Sequence, residues 1–445
     1  MSDLAELLRA SPYQAYSYAY PHKTAYRPIA PRPLSQVWAD EDRRALFLYA
    51  HIPFCMYRCG FCNLFTLARP SEQVVARYLQ QIQAQLRATI AALGEHRFAR
   101  FALGGGTPSY LDVRQLADLF EALGQSGVDL HAIPAGIEVS PETVDGEKMQ
   151  LLREVGIDRV SMGIQSFADA EVRALIRPQQ RAQVERAIAA IRDANFPTLN
   201  LDLIYGIEGQ SIASFLASIE SALAFAPEEI YLYPLYVRPL TGLGRTGSRR
   251  FALAPEPLAD RASLYEAGRD ALRAAGYVQI SMRMFRAPHA PSDDGAPAYC
   301  CQTDGMVGIG CGARSYTREV HYSTEFGVSR RSVHDILEDY LQRDSAAFAT
   351  VDYGFELNAQ EQRRRFVIQS LLLAPGLDRR AYRARFGGDC LDEVSQLRQL
   401  QGFGLAQIEK DRIVLTDAGL ARADTIGPWL TSPAVSERMA AYELT

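Results

Sequence analysis

The chain has 445 residues, 48% hydrophobic and 22% charged, with 32 Gly and 23 Pro. That is the composition of one enzyme-sized body or two to three ordinary domains, and it excludes a stapled mini-fold and a low-complexity chain. Lys plus Arg total 47 against 52 Asp plus Glu, a formal charge of -5, so no global field draws the chain to nucleic acid or an acidic membrane.

Residues 1–40 are rich in Tyr and Pro (Tyr13, Tyr16, Tyr18, Tyr20, Tyr26; Pro21, Pro28, Pro31, Pro33), which predicts an extended arm with no domain of its own. Met1 to Ala10 carries two acids and one arginine, and no run reaches about 18 apolar residues. Neither a signal peptide nor a membrane span is expected, and the setting is read as cytoplasmic. From 41 to 280, strand-like and helix-like runs alternate. The strands are Leu46 to Ala50, Ala99 to Leu103, Gly136 to Val139, Arg159 to Ile164, Leu199 to Ile204 and Glu229 to Tyr236. Helical spacing marks Val74 to Leu93, Val113 to Leu123, Glu147 to Val155, Gln183 to Asn195, Ile212 to Phe225 and Asp260 to Ala275. Six βα units imply a parallel α/β sheet, and periodicity alone does not choose between a barrel and a doubly wound sheet.

Residues 281–345 read as a linking segment that closes an active site, and within it Ser281 to Val328 is Gly, Cys, Ser and Tyr-rich, as loops and short strands are. Residues 346–445 read as a small helical or winged-helix-like module: helices over Ala359 to Leu373 and Leu391 to Leu400, then a hairpin over Ala406 to Leu415 turning at Lys410 and Asp411. Arg363, Arg364 and Arg365 form either a solvated helix face or a phosphate-binding patch, and the acids around them favour the former.

Seven cysteines are an odd number in a long chain, and three lie within eight residues, Cys55, Cys59 and Cys62. This favours a thiol site over a disulfide framework. The run His51 to Cys62 follows the first strand directly. Three thiolates on a short loop suit three irons of a 4Fe-4S cluster whose fourth iron stays open. The alternative is a zinc knuckle completed by a residue such as His51.

Cys-x-x-x-Cys-x-aromatic-Cys resembles the signature of radical S-adenosylmethionine (SAM) enzymes. Tyr49-Ala50-His51-Ile52-Pro53-Phe54-Cys55 is similar to the coproporphyrinogen dehydrogenase-like branch, which holds oxygen-independent coproporphyrinogen oxidases, heme chaperones and class C methyltransferases. Similarity extends from about Leu46 into the C-terminal module, and the arm, the Cys300-Cys301 segment and the tail look nearest to a subgroup of bacterial members. The resemblance implies a partial (β/α)6 barrel of the TIM type. Its cofactors would be a 4Fe-4S cluster on Cys55, Cys59 and Cys62 and one or two SAM molecules, cleaved to a 5′-deoxyadenosyl radical. A reducing donor such as flavodoxin or ferredoxin and a small-molecule substrate would be the partners, with no nucleic acid and no membrane.

The same resemblance assigns further residues. Gly104 to Ser109 follows the second strand, where Gly105, Gly106 and Thr107 would face the methionine part of SAM across bare backbone. Glu138 and Gln165 end the third and fourth strands, converging on the usual ligand face. Asp202, an acid inside an otherwise apolar strand, is costly to bury without a partner and is read as a cofactor-binding group that meets a hydroxyl or a cation, with a structural salt bridge as the alternative. Arg177 matches an arginine that contacts a cofactor carboxylate. Tyr49 matches a tyrosine near cofactor and substrate, and Tyr236 a second SAM pocket.

The reaction is less defined. Leu64 stands where the oxidases commonly carry a fourth cysteine, and Tyr299 to Gly305 lacks the heme-ligating histidine of the chaperones. Methyl or methylene transfer from a second SAM is therefore ranked first, oxidative decarboxylation of a porphyrinogen second and heme carriage third. Cys300 and Cys301 are either small core residues or thiols lining the substrate cavity as hydrogen donors. His289, His321 and His334 read as ordinary surface or satisfied residues.

Overall fold

The computed structural model describes residues 3–9, 19–245, 258–291 and 305–443. Tyr13, Tyr16, Tyr18 and the whole segment from Tyr299 to Asp304, with Cys300 and Cys301, lie outside the described residues. Six barrel strands, Leu46–Ile52, Phe98–Gly105, Ala135–Val139, Arg159–Gln165, Thr198–Tyr205 and Glu229–Pro234, lie side by side in chain order. Every neighbouring pair is parallel. Because the order never reverses, there is no switch point, and the winding is that of a barrel and not of a doubly wound sheet.

The first strand reads LFLYAHI with six of its seven residues buried, as a parallel strand covered on both faces must be. Helix Glu72–Leu93 covers it. The Ser71 hydroxyl accepts from the Val74 N–H, and Val75, Tyr78, Leu79, Ile82, Leu86 and Leu93 form its buried stripe. Helix Val113–Gln125 opens with a capping box between Asp112 and Gln115.

A seventh parallel strand, Met306–Ile309, flanks the first, with Met306 opposite Phe47 and Ile309 opposite Ala50. At four residues it is too short for periodicity to reveal. Beyond it the sheet turns antiparallel through Arg314–Tyr316, Val320–Ser323 and Thr350–Glu356. It ends on Arg27–Pro33 of the arm. Pro28, Pro31 and Pro33 lack an N–H, which suits this outermost position. At the other end, Met284–Arg286 and Val278–Gln279 add two antiparallel strands.

A second core joins the two chain ends. Leu4, Tyr20, Ala25 and Tyr26 pack with Leu371, Tyr382, Leu400, Ile413 and Trp429. The hairpin forms as Ala406–Ile408 and Arg412–Leu415, joined by Leu377–Asp378. The expected helix over Leu391 to Leu400 is instead two, Cys390–Glu393 and Leu397–Gly402. Val394 leaves the helical region, and the Gln396 amide is drawn inward between Arg364 and the Trp429 carbonyl. The three arginines are not a solvated face. Arg364 and Arg365 are buried, Arg364 donating to Gln396 and to the Leu430 carbonyl at 2.7 Å, and Arg363 pairs with Glu393. His289 and His334 are exposed, whereas His321 is fully buried.

Barrel and C-terminal module meet at a buried ion pair, in which Arg283 Nη2 lies 2.6 Å from both Asp424 oxygens. Removing one partner of such a pair typically costs about 3–5 kcal/mol, because the other charge loses its counterion in a low-dielectric site. Asp424→Ala is expected to lose that amount in urea unfolding, while a joint Arg283→Met and Asp424→Leu exchange loses less. A loss under about 1 kcal/mol, the range of exposed pairs, would contradict a structural role.

Candidate active site

The carboxyl end of the first strand runs into a loop fixed on every side. Phe54 and Cys55 pair with Leu67 and Ala68, and the Arg69 N–H donates to the Cys55 carbonyl at 2.9 Å. Gly60 donates to the Leu175 carbonyl at 2.9 Å and accepts from the Leu243 N–H at 2.7 Å. A Cβ at Gly60 would lie 2.8 Å from that Leu175 oxygen and 2.9 Å from Ile176 Cβ, so only glycine fits.

This loop carries the three thiols, all half-buried and free. Thr107 Oγ1 donates to Cys55 Sγ at 3.5 Å, Arg177 Nη1 donates to Cys59 Sγ at 3.1 Å, and Cys62 Sγ lies 3.9 Å from Thr66 Oγ1. Burial pushes the Cys55 thiol up to about 12 and raises Cys59, and the neighbouring thiols add to both. A bound cation reverses this by stabilising the thiolates. Among the described residues no three His, Cys, Asp or Glu side chains meet around one point as a single ion requires. Three thiols on one short loop are soft donors that suit three irons of a cluster, one each. His51 is engaged elsewhere. Its Nε2 lies 3.3 Å from the Phe65 carbonyl, its Nδ1 3.4 Å from the Tyr49 hydroxyl, and burial holds it down to about 4.

The glycine turn after the second strand leans on this loop. The Gly106 and Thr107 N–H groups donate to the Ile52 and Phe54 carbonyls, both at 2.8 Å. A Cβ at Gly106 would lie 2.7 Å from the Phe54 oxygen and 3.0 Å from the Cys55 sulfur, and one at Gly105, whose φ is +118°, would strike the His51 ring at 2.8 Å. Packing alone therefore demands these glycines.

Inside the barrel the strands stack a polar column. Arg159 pairs with Glu229 at 2.7 Å near the amino ends. Above them Asn200 Nδ2 donates to Ser161 Oγ at 2.7 Å and to Asp202 Oδ1 at 2.8 Å. Glu138 accepts from the Gly105 N–H at 3.0 Å, and a Cβ at Gly104 would come within 3.0 Å of both this carboxylate and the Tyr49 hydroxyl. Glu138 is accessible to solvent yet enclosed by protein, as a side chain facing an interior space is. Burial lifts Glu138 to about 7 and Asp202 to about 6. Gln165 ends the fourth strand at a bulge with φ +65°.

Tyr49, Gly105, Gly106, Thr107, Glu138 and Arg177 thus gather around the cysteine loop and the column. Tyr236 lies under the Arg238 guanidinium, 4.8 Å from its ring centroid. Its phenol is raised by burial and then by Asp424, at the junction with the C-terminal module. Sequence reasoning missed a basic cluster that reaches Cys62 through Lys23. Lys23 of the arm lies over the Phe326 ring at 3.5 Å, with burial, then Arg314, depressing its ammonium and Cys62 opposing that shift. His22 is depressed by burial and by Lys23, Arg314 and Arg238. No motif marks these four residues, because a fold that returns the arm to the cysteine loop is needed to collect them.

This fold and this loop define a radical SAM protein. The radical SAM superfamily model matches residues 49–222 and the HemN C-terminal domain model residues 357–422. The oxygen-independent coproporphyrinogen III oxidase of Bradyrhizobium diazoefficiens is 24% identical, over 90% of this chain and 90% of that protein. The heme chaperone HemW of Bacillus subtilis is 27% identical, over 83% of this chain and 95% of that protein. The fold matches that of coproporphyrinogen III oxidase (HemN) from Escherichia coli with a TM-score of 0.81 at 22% identity, covering 97% of this chain and 99% of that one. The chain belongs to the HemN-like radical SAM family, whose cofactors are a 4Fe-4S cluster and SAM. Among the described residues no helix is long and apolar enough to cross a membrane.

An acid whose pKa is raised by folding stabilises the fold below its unfolded value and loses that contribution as pH rises through the folded one. For Glu138 the window runs from 4.5 to about 7. Glu138→Gln is therefore expected to raise the melting temperature of the cluster-free protein at pH 8 and to change it little at pH 4.5. Parallel melting curves for variant and wild type across this window would contradict the enclosed setting of Glu138.

Proposed function

We propose that this chain is a radical SAM enzyme acting on a substrate that carries several carboxylates, by oxidative decarboxylation of the coproporphyrinogen type. The observation that carries this reading is Lys23 of the arm, seated over the Phe326 ring near Cys62 in a basic cluster with Arg314 and Arg238, with His22 a neutral neighbour whose Nδ1 accepts from the Thr24 N–H. Enclosed cations attract anions strongly because little water screens them.

Bound together, cluster and SAM supply one electron and a 5′-deoxyadenosyl radical, the chemistry that belongs to the cofactors. A low-potential protein such as flavodoxin or ferredoxin would provide that electron. The chain's own task is placement. The cysteine loop and the glycine turn fix the reacting end, Glu138 and the Tyr49 hydroxyl border the interior space, and the basic cluster holds the substrate's carboxylates. Loss of a hydrogen atom from a propionate side chain, followed by loss of carbon dioxide and of one electron to an acceptor, leaves a vinyl group.

Methyl or methylene transfer from a second SAM is the second reading. It is favoured by Leu64, which is 47% exposed where the oxidases carry a cysteine. The two differ in the fate of SAM, since methylene transfer removes hydrogen from the SAM methyl group and leaves S-adenosylhomocysteine. The test is methyl-deuterated SAM with coproporphyrinogen under reducing, anaerobic conditions. We expect unlabelled 5′-deoxyadenosine and released carbon dioxide, both strongly reduced in Lys23→Ala or Arg314→Ala. Deuterated 5′-deoxyadenosine with S-adenosylhomocysteine would move the assignment to transfer, and tight heme uptake without SAM cleavage would move it to heme carriage.

A further inference from the structure

The one cation that touches the cysteine loop through a sulfur is Arg177, among the described residues. Arg177 is 7% exposed, and its guanidinium is held at four points. Nε donates to Gln179 Oε1 at 2.8 Å, Nη2 donates to the Gly163 carbonyl at 2.8 Å and to Ser140 Oγ at 3.0 Å, and Nη1 donates to Cys59 Sγ at 3.1 Å. Carbonyl, amide and hydroxyl oxygens are neutral. Glu142 acts only at one remove, since the Ser140 hydroxyl donates to it at 2.6 Å. Among the described residues Cys59, as a thiolate, is therefore the one charged group hydrogen-bonded to this cation.

The backbone is arranged to deliver it. Ile176, directly before Arg177, has φ +51°, a conformation that is a genuine outlier for a β-branched residue and persists only where the surroundings enforce it. Here the enforcement is visible: Ile176 packs on Gly60 of the cysteine loop, and the Gly60 N–H donates to the Leu175 carbonyl. The segment that carries Arg177 and the loop that carries Cys59 are thus locked together.

We propose that Arg177 tunes the reduction potential of the cluster through its charge-assisted hydrogen bond to Cys59. Hydrogen bonds to the sulfurs and local charge are among the factors that set such potentials. When a low-potential one-electron carrier reduces the cluster, the carrier loses one electron and the cluster gains one negative charge. A fixed N–H donor with a positive charge stabilises that reduced form and so raises the potential. One Nη1 hydrogen is left over from the four contacts, since a guanidinium has five, so a contact with the cofactor carboxylate is compatible with this role. The inference rests on the cluster assignment and not on the reaction.

The test is a redox titration of anaerobically reconstituted protein without SAM or substrate, followed by electron paramagnetic resonance. Arg177→Gln at full iron content is expected to make reduction about tenfold less favourable, a fall of 59 mV for one electron. Arg177→Lys should retain part of the difference. Gln179→Met, which releases only Nε, should shift the potential in the same direction by less, and it carries the test if Arg177→Gln does not assemble. Wild-type potentials in all assembled variants, with weakened SAM binding alone, would overturn the proposal and leave Arg177 as a carboxylate ligand. A wrong substrate assignment leaves every one of these readouts unchanged.

Discussion

The close approach of two loops at the carboxyl end of the first barrel strand is the constraint on which the site depends. The cysteine loop has no secondary structure beyond the two-residue strand at Phe54–Cys55, so neighbours must hold it. It is clamped by Gly106 and Thr107 on one side and by Leu175, Ile176 and Leu243 on the other. Bare backbone at Gly60 and Gly106 is what lets these segments come within hydrogen-bonding distance. Three thiols at fixed spacing are useful to a cluster only if the peptide between them cannot drift, and the clamps provide that.

The electrostatics follow from the same enclosure. A carboxylate, a thiol or an ammonium taken out of water shifts toward its neutral form unless an opposite charge meets it. Glu138, Asp202, Cys55, Cys59 and Lys23 all shift that way. Acids thus stand on the barrel side, and on the arm side Lys23, whose charge an anionic neighbour such as Cys62 helps to restore, stands with Arg314. Anionic sulfur and carboxylate ligands would meet the cations, while polar or cationic ligand groups would meet the acids.

Much of this architecture is legible in the sequence because the barrel is locally encoded. Each strand is a short run with apolar residues and each helix carries an apolar stripe, four of them opened by a side-chain cap at Ser71, Asp112, Asp145 or Ser211, so all six βα units fall within a few residues of where spacing places them. The choice of a barrel is not local, since it depends on the order in which strands pair. The strand at Arg27–Pro33, and the pairing of Met306–Ile309, one of the short strands expected in its segment, with the first barrel strand, are not legible for the same reason: each depends on a partner far along the chain. The break at Val394 reflects a tertiary demand, the Gln396 amide satisfying Arg364, that overrides an apolar helical pattern. At the site, Cys55, Cys59 and Cys62 are readable because their chemistry fixes their spacing. Lys23 and Arg314 are not, because ordinary charged residues acquire a role only when the fold brings the arm and the sheet extension to Cys62.

The central claim is that Cys55, Cys59 and Cys62 hold three irons of a 4Fe-4S cluster and leave the fourth to SAM. Mössbauer spectroscopy of protein reconstituted with 57Fe, before and after addition of SAM, tests it directly. The account predicts about four irons per chain, with one iron site whose isomer shift changes when SAM binds while the other three stay as they were, and loss of that spectrum in Cys59→Ala. Four irons that all ignore SAM, or a chain that takes up one zinc ion and no iron-sulfur cluster, would contradict it.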